Sequence, residues 1–298
     1  MPDKQVILIT GSSTGFGRLI AETLGRHGHN VFASMRDPAV RNATNASELR
    51  TLVGKESLQI HVVDMDVTDE GSVERAMHVC MEEAGRIDVV INNAGYLLTG
   101  LAEATTVDQA RSIMDTNFLG CVRVNRAVLP FMRKQRSGLL IHVSSGAGRI
   151  VLPSNAFYCA STFAMEALAE AYHYELAQQG IESCIVEPGA YQTPVFANLV
   201  QAADHSRTVT YGAANQIGNK IASGLSAAAA NPQEVADIIL SIVEAPAGQR
   251  KLRYPVHPSD LGLGTINEVC AQVQQRTLQV FGIVGDTSFS QSSVAGAD

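Results

Sequence analysis

V-I-L-I-T-G-S-S-T-G-F-G, residues Val6 to Gly17, decides how the rest of the chain is read. A short β-branched and aliphatic run closed by glycine predicts a buried strand, and the periodic apolar pattern of Leu19 to Leu24 predicts a helix directly after it. Gly11, Gly15 and Gly17 let the backbone turn without Cβ clashes, approach a ligand closely and start the helix tight against the strand. The free N–H groups and positive dipole end of that helix face the loop formed with Ser13, Thr14 and Phe16, a setting suited to a pyrophosphate. Glycine-rich turns also serve packing alone, and both readings stand at this point.

Working outward, Asn30 to Met35 predicts a second strand, broken by Arg36-Asp37-Pro38, and Leu58 to Val63 a third. A helix follows over Glu70 to Ala84, capped by Thr68 or Asp69. Ile87 to Ile91 is a fourth strand, Val107 to Gln135 a long helical region bent or broken at Pro130, and Leu139 to Val143 a fifth strand. Phe157 to Gln179 reads as helix and Glu182 to Val186 as a sixth strand stopped by Pro188-Gly189. Apolar strands alternating with helices require a parallel sheet covered on both faces, and right-handed crossovers make it doubly wound. Ligands in such sheets bind at the carboxyl ends of the strands. From residue 195 to 231 the periodicity weakens, as expected of a substrate-side lid insertion or of plain surface helix. Pro232 to Val243 predicts a helix, Lys251 to Val256 a last strand, Ile266 to Phe281 an amphipathic helix, and 286–298 a disordered tail. The expectation is one domain over 1–285.

With 46% hydrophobic and 17% charged residues, the 298-residue chain can build a sizeable core. A net charge of −7 from mixed signs, without a basic block, argues against nucleic acid or an anionic membrane as partner. Cys80, Cys121, Cys159, Cys184 and Cys270 are odd in number and lack C-x-x-C spacing, which predicts reduced thiols, a cytoplasmic protein and no zinc site. No charged leader with an apolar stretch precedes the first strand, and no apolar run reaches membrane-spanning length.

Four further motifs fall at strand ends: Asp66-Val67, Asn92-Asn93-Ala94-Gly95, Ser144-Ser145 with Tyr158 thirteen residues beyond Ser145, and Pro188-Gly189 with Tyr191 and Thr193. Together with the T-G-x-x-x-G-x-G turn and Thr116-Asn117-Phe118, they resemble the short-chain dehydrogenase/reductase family over Val6 to Thr193, and more weakly over Arg253 to Val256. The resemblance implies a Rossmann-like α/β fold. It implies Ser145 and Tyr158 as the catalytic hydroxyl pair and Asn117 as support for a water relay. Gly11, Ser13, Thr14, Gly15, Phe16, Gly17, Asp66, Val67, Asn93, Ala94, Gly95, Pro188, Gly189, Tyr191 and Thr193 become the cofactor residues. At the end of the second strand an NAD site wants a carboxylate for the ribose 2′-hydroxyl, and a 2′-phosphate wants a cation. Met35 holds that place and Arg36 follows, so NADP(H) is the expected cofactor, with Ser13 or Ser12 as a second phosphate contact and NAD(H) as second choice. A solvated surface arginine is the other reading of Arg36.

One position departs from the family's Y-x-x-x-K: Tyr158 is followed four residues later by Thr162. Positions i and i+4 share a helix face, so the family lysine stands beside the tyrosine, whereas Thr162 supplies a hydroxyl and no charge. The expected activity is hydride exchange between a hydrophobic ketone or aldehyde and an alcohol, weakened by this replacement. Tyr96, Leu97, Val151, Phe157, Val195 and Phe196 are the expected substrate residues. Residues 31–37, V-F-A-S-M-R-D, and the long C-terminal part resemble the hydroxysteroid and retinol branch. A cofactor-holding pseudoenzyme or sensor is the alternative, with a lyase or epimerase on the same fold behind it. Small and apolar residues in the two long helices fit a homodimer or homotetramer, and equally fit a core-facing helix.

Overall fold

The computed structural model describes residues 4–196, 198–227, 230–257 and 262–283, so the tail expected at 286–298 lies outside the described residues. The first half alternates regularly: β1 (Val6–Ile9), α1 (Gly15–Arg26), β2 (Asn30–Met35), α2 (Ala43–Glu56), β3 (Ile60–Asp64) and α3 (Glu70–Ala84). Next come β4 (Val89–Asn92), the short β5 (Leu98–Thr99), α4 (Val107–Met114), α5 (Gly120–Gln135), β6 (Gly138–Val143), α6 (Ala156–Glu175) and β7 (Ile181–Pro188). The last part carries β8 (Val200–Gln201), α7 (Ile217–Ala227), α8 (Gln233–Glu244), β9 (Arg253–Val256) and α9 (Leu263–Val280).

Seven strands form one parallel sheet in the order β3-β2-β1-β4-β6-β7-β9. Strand order reverses beside β1, which pairs with β2 through Ile7↔Val31 and with β4 through Ile7↔Val89. The reversal opens a crevice at the carboxyl ends, where ligands bind in this type of sheet. Because side chains alternate, Ile7 and Ile9 pack on one face with Ile20 and Leu24 of α1 and Ile239 and Ile242 of α8. Leu8 and Phe32 pack on the other with Val73 and Met77 of α3 and Val124, Val128 and Met132 of α5. Each fully buried side chain of this kind contributes about 1.5–3 kcal/mol, which is why the strands are apolar on both faces.

Several expectations need correction. Helix α2 was not expected: it buries only Ala46 and Leu49, so its sequence carries little apolar periodicity. α5 runs through Pro130 without ending there. Pro130 is itself exposed and the carbonyl it frees belongs to exposed Arg126, while Val128, Leu129 and Met132 stay buried. The long helical region is divided earlier, by a π-type turn over Asp115–Leu119. β3 starts at Ile60 and β4 at Val89, two residues later than expected in each case. The cap of α3 is Asp69, whose carboxylate accepts from the Ser72 N–H at 3.0 Å. α6 ends at Glu175, with a 3₁₀ turn over Ala177–Gln179.

Between β7 and α8 the chain is not featureless. β8 pairs in parallel with β5, 3₁₀ turns lie between His205 and Gln216 on either side of a kink at Gly212, and α7 follows. The Thr99 hydroxyl and the Gly100 N–H both donate to the Ser154 carbonyl, at 3.0 and 2.8 Å. These bonds lay the β5–β8 pair over the carboxyl edge of the main sheet. Among the described residues no helix is long and apolar enough to cross a membrane.

Candidate active site

The glycine turn and the N-N-A-G segment are stapled together. The Thr10 hydroxyl accepts from the Asn93 and Ala94 N–H groups at 2.9 and 2.8 Å, and the Asn93 amide donates to the Thr10 and Gly11 carbonyls at 2.9 and 3.1 Å. Gly11 has φ +70°, and a Cβ there would lie 2.9 Å from the Ala94 Cα, so glycine is required on both counts. Gly17 serves packing, since a Cβ would collide with the Gly11 carbonyl and the Asn93 amide. α1 begins after Thr14 with no side-chain cap, leaving its first N–H groups open toward the crevice. The Ser12 hydroxyl turns inward and donates to the Ile9 carbonyl at 3.1 Å. Ser13 faces the crevice instead.

A single cavity of about 930 Å³ runs from this turn along the strand ends. Gly11, Ser13, Thr14, Gly15, Phe16, Arg36, Asp66, Val67, Asn93, Ala94 and Gly95 line one end. Asn117, Ser145, Tyr158, Thr162, Pro188 and Gly189 line the other, while Tyr191 and Thr193 close against the glycine turn, the Tyr191 ring 5.7 Å from that of Phe16 and Thr193 beside Gly15. Of the expected substrate residues, Tyr96, Leu97 and Val195 line it. Val151 is 68% exposed, and neither it nor Phe157 faces the cavity. The side chain of Phe196 lies outside the described residues.

Sequence reading missed part of the wall. Arg41, Asn42 and Asn45 come from the start of the unexpected α2, and Leu98, Leu199, Val200 and Ile221 from the β5–β8 pair and α7. Asp37, beside Arg36, lies off the wall with φ +47°: its N–H donates to Asp64 at 2.9 Å and its carboxylate accepts from the Arg41 N–H at 3.4 Å.

Ser145 ends the loop after β6, its hydroxyl accepting from the Ala147 N–H at 3.1 Å, and Tyr158 stands in the first turn of α6. Burial raises the Tyr158 phenol above its ordinary value, opposed by a hydrogen bond with Ser145. Thr162, one turn along, directs its hydroxyl at three carbonyls, Ala147, Tyr158 and Cys159, at 3.0, 3.1 and 2.9 Å. With a single proton to donate, it is fully engaged by backbone. Among the described residues lining the cavity, lysine and arginine are confined to Arg36 and Arg41, at the far end from Tyr158.

Asn117 sits in the π-type turn. Its amide donates to the Tyr96 carbonyl and the Ser161 hydroxyl, both at 3.1 Å, and its oxygen accepts from the Tyr96 N–H at 3.1 Å. The side chain therefore fixes the cavity wall and keeps no amide proton for a substrate. Below the floor, His142 is fully buried beside Asn125, which links on to Asn92, and burial pushes its imidazole down to about 4.

A second buried cluster adjoins the site. The Ser144 hydroxyl donates to Glu166 at 2.9 Å, and Arg253 reaches Glu166 at 3.2 Å, Glu170 at 2.6 Å and Glu187 at 3.5 Å. Asn267 donates to Glu187 at 2.6 Å, and the Arg149 guanidinium lies 3.9 Å from Glu166. Sequence reading passed over these residues, although a glutamate inside the apolar run C-I-V-E-P at 184–188 is itself a signal, because a charge in a doubly covered strand demands a buried partner.

The family described as short chain dehydrogenase matches residues 5–204. A 3-ketodihydrosphingosine reductase of Bacteroides thetaiotaomicron is 40% identical over 63% of this chain, and the match spans just under two thirds of that protein, 65%. An uncharacterized oxidoreductase of Bacillus subtilis, YusZ, is 32% identical over 85% of this chain and 89% of its own. The human 17-beta-hydroxysteroid dehydrogenase type 1 is 32% identical over 84% of this chain and 77% of its own. Among solved structures, a short-chain dehydrogenase from Streptomyces avermitilis superposes with a TM-score of 0.75 at 28% identity, covering 93% of this chain and 99% of that one.

Proposed function

The chain belongs to the short-chain dehydrogenase family, and on that premise we propose that it is an NADP(H)-dependent oxidoreductase interconverting a hydrophobic ketone or aldehyde with its alcohol. The observation that carries this reading is one continuous cavity with an uncapped helix N-terminus at one end and the Ser145–Tyr158 hydroxyl pair at the other. The residues present suit a nicotinamide dinucleotide: open N–H groups and Gly11 for the pyrophosphate, Asp66 and Val67 for the adenine side, Pro188 to Thr193 for the carboxamide. When bound, such a cofactor exchanges a hydride with the substrate carbon. Ser145 holds the substrate oxygen, and Tyr158 gives it a proton in reduction or takes one in oxidation. Leu97, Leu199, Val200 and Ile221 favour an apolar substrate beyond that oxygen. The 195–231 segment acts as the lid of a single unit over 1–285, and the protein works as a homodimer or homotetramer. Five free cysteines support a cytoplasmic location.

NADP(H) preference rests on Arg36 in the wall and on the carboxylate of Asp37 being held away from it. A fluorescence titration is expected to give NADPH the tighter binding. Arg36→Asp should weaken NADPH by about 10- to 100-fold, the loss of one charge-assisted hydrogen bond of about 1.5–3 kcal/mol, while leaving NADH nearly unchanged. Uptake of neither reduced cofactor at millimolar excess would overturn the reading.

A specific observation favours a second reading, a cofactor-holding protein with little turnover. The Thr162 hydroxyl is spent on backbone carbonyls, and no cation lines the Tyr158 end of the cavity among the described residues.

A further inference from the structure

The buried cluster around Arg253 adjoins the Ser145 loop, α6 and the Pro188 segment, and only its Ser144 member lines the cavity. Ser144 precedes Ser145, Glu166 lies one turn past Thr162 on α6, and Glu187 precedes Pro188. Arg253 begins β9, whose far end receives the Gly189 N–H at the Val256 carbonyl, 2.9 Å away. A Cβ at Gly148 would collide with the Glu166 carboxylate and the Ser144 hydroxyl, so the loop carrying Ser145 rests directly on this cluster. We propose that Glu187, held between Arg253 and Asn267 at the end of β7, is a positioning residue that seats the Pro188–Thr193 segment against the cavity. This rests on the reading of that segment as part of an oxidoreductase site.

The charge count explains how it acts. Around Glu187 stand Glu166 of α6, Arg149 of the loop after β6, Arg253 of β9 and Asn267 of α9, and Arg253 in turn meets Glu170 and lies near His173 of α6. Burial holds the His173 imidazole below its ordinary value, which favours its neutral form. Two guanidiniums, Arg149 and Arg253, are set against three carboxyl groups, Glu166, Glu170 and Glu187, so the cluster is neutral when one carboxyl, here Glu187, is uncharged. An ionised one leaves it with one excess negative charge away from water, which is costly. Burial first, and neighbouring Glu166 second, push Glu187 up to about 7. Glu187 therefore keeps its proton at mildly acidic pH and loses it above neutrality. Its Oε1 has no hydrogen-bond partner and Arg253 stands 3.5 Å from it, so the new charge is met by the Asn267 amide on Oε2 and by Arg253 and Arg149 at longer range. The seated state binds the proton more tightly than the loosened one, and raising the pH loosens the segment.

Hydrogen exchange of the amides of residues 189–193 in the full chain without cofactor, at about pH 6 and about pH 8.5 and corrected for intrinsic rates, reads this directly. The expected result is about a tenfold rise in opening across that range for the parent protein and less than about a twofold rise for Glu187→Gln, which keeps the shape and cannot ionise. Should Glu187→Gln fail to fold, Asn267→Ala removes the hydrogen bond that favours the ionised form, and the midpoint of opening is expected to move to higher pH. Equal pH dependence in parent and variant overturns the proposal, as does a midpoint that ignores Asn267→Ala. NADPH affinity measured alongside separates the two readings. Absence of binding at every pH overturns the oxidoreductase assignment, while the exchange data still decide the role of Glu187.

Discussion

Thr162→Lys is expected to raise the rate of NADP⁺-dependent alcohol oxidation at neutral pH by about 10²- to 10³-fold. In that direction Tyr158 must accept a proton as phenolate, and its burial, with no lysine or arginine lining that end of the cavity among the described residues, favours the protonated phenol. Thr162 faces the cavity one helical turn from Tyr158, so a lysine stem has room to extend along the wall and bring its ammonium to the phenol. A unit charge about 4 Å away is worth up to ~4 kcal/mol at an effective dielectric of 20, or roughly three units of acidity at 1.36 kcal/mol each. The measurement is initial rate against pH for a panel of hydrophobic alcohols and ketones. The basic limb should move toward neutrality in the variant. No gain with any substrate in either direction would favour the cofactor-holding role.

Arg253→Ala is expected to cost about 3–5 kcal/mol of stability, the range for breaking a buried ion pair by removing one partner. The loss is large because Arg253, only 8% exposed, faces three carboxylates at once, two of them nearly inaccessible. The cost should depend on pH with a definite sign. Glu166 and Glu187 sit above the ordinary carboxylate range in the folded protein, so the folded state binds the extra protons. Stability is lost as pH rises through those raised values and regained below them. Urea unfolding at about pH 5.5 should accordingly show a smaller gap between parent and variant than at about pH 8. An equal gap at both would mean that these acids carry no excess charge in the variant.

The glycine turn, the seven-strand alternation and the strand-end motifs were legible because each is local: glycine, strand and helix signals sit within a dozen residues of one another. α2 was not, because a surface helix burying only Ala46 and Leu49 shows almost no apolar period, and with it went Arg41, Asn42 and Asn45 of the cavity wall. Pro130 misled in the opposite way, since three buried neighbours and a solvent-facing freed carbonyl let the helix continue. The substrate side was read from apolar residues near the motifs. Tertiary placement then separated Tyr96, Leu97 and Val195, which face the cavity, from exposed Val151 and from Phe157, which do not. The Glu166–Arg253–Glu187 cluster joins residues up to 87 apart, a distance no spacing argument reaches, and only the charge inside β7 advertised it.

The sheet order also bears on how the nascent chain matures. β1 lies inside the finished sheet, and its second neighbour leaves the ribosome only after Val89 has been translated. At about 5–20 residues per second this is a delay of several seconds, during which an apolar edge stands open to chaperones or to other unfinished chains. The guanidinium that lies against Glu166 and Glu187 arrives later still, with Arg253. A translation product that stops short of Arg253 therefore carries those buried carboxyl groups without that partner, which favours local opening and recognition by quality control.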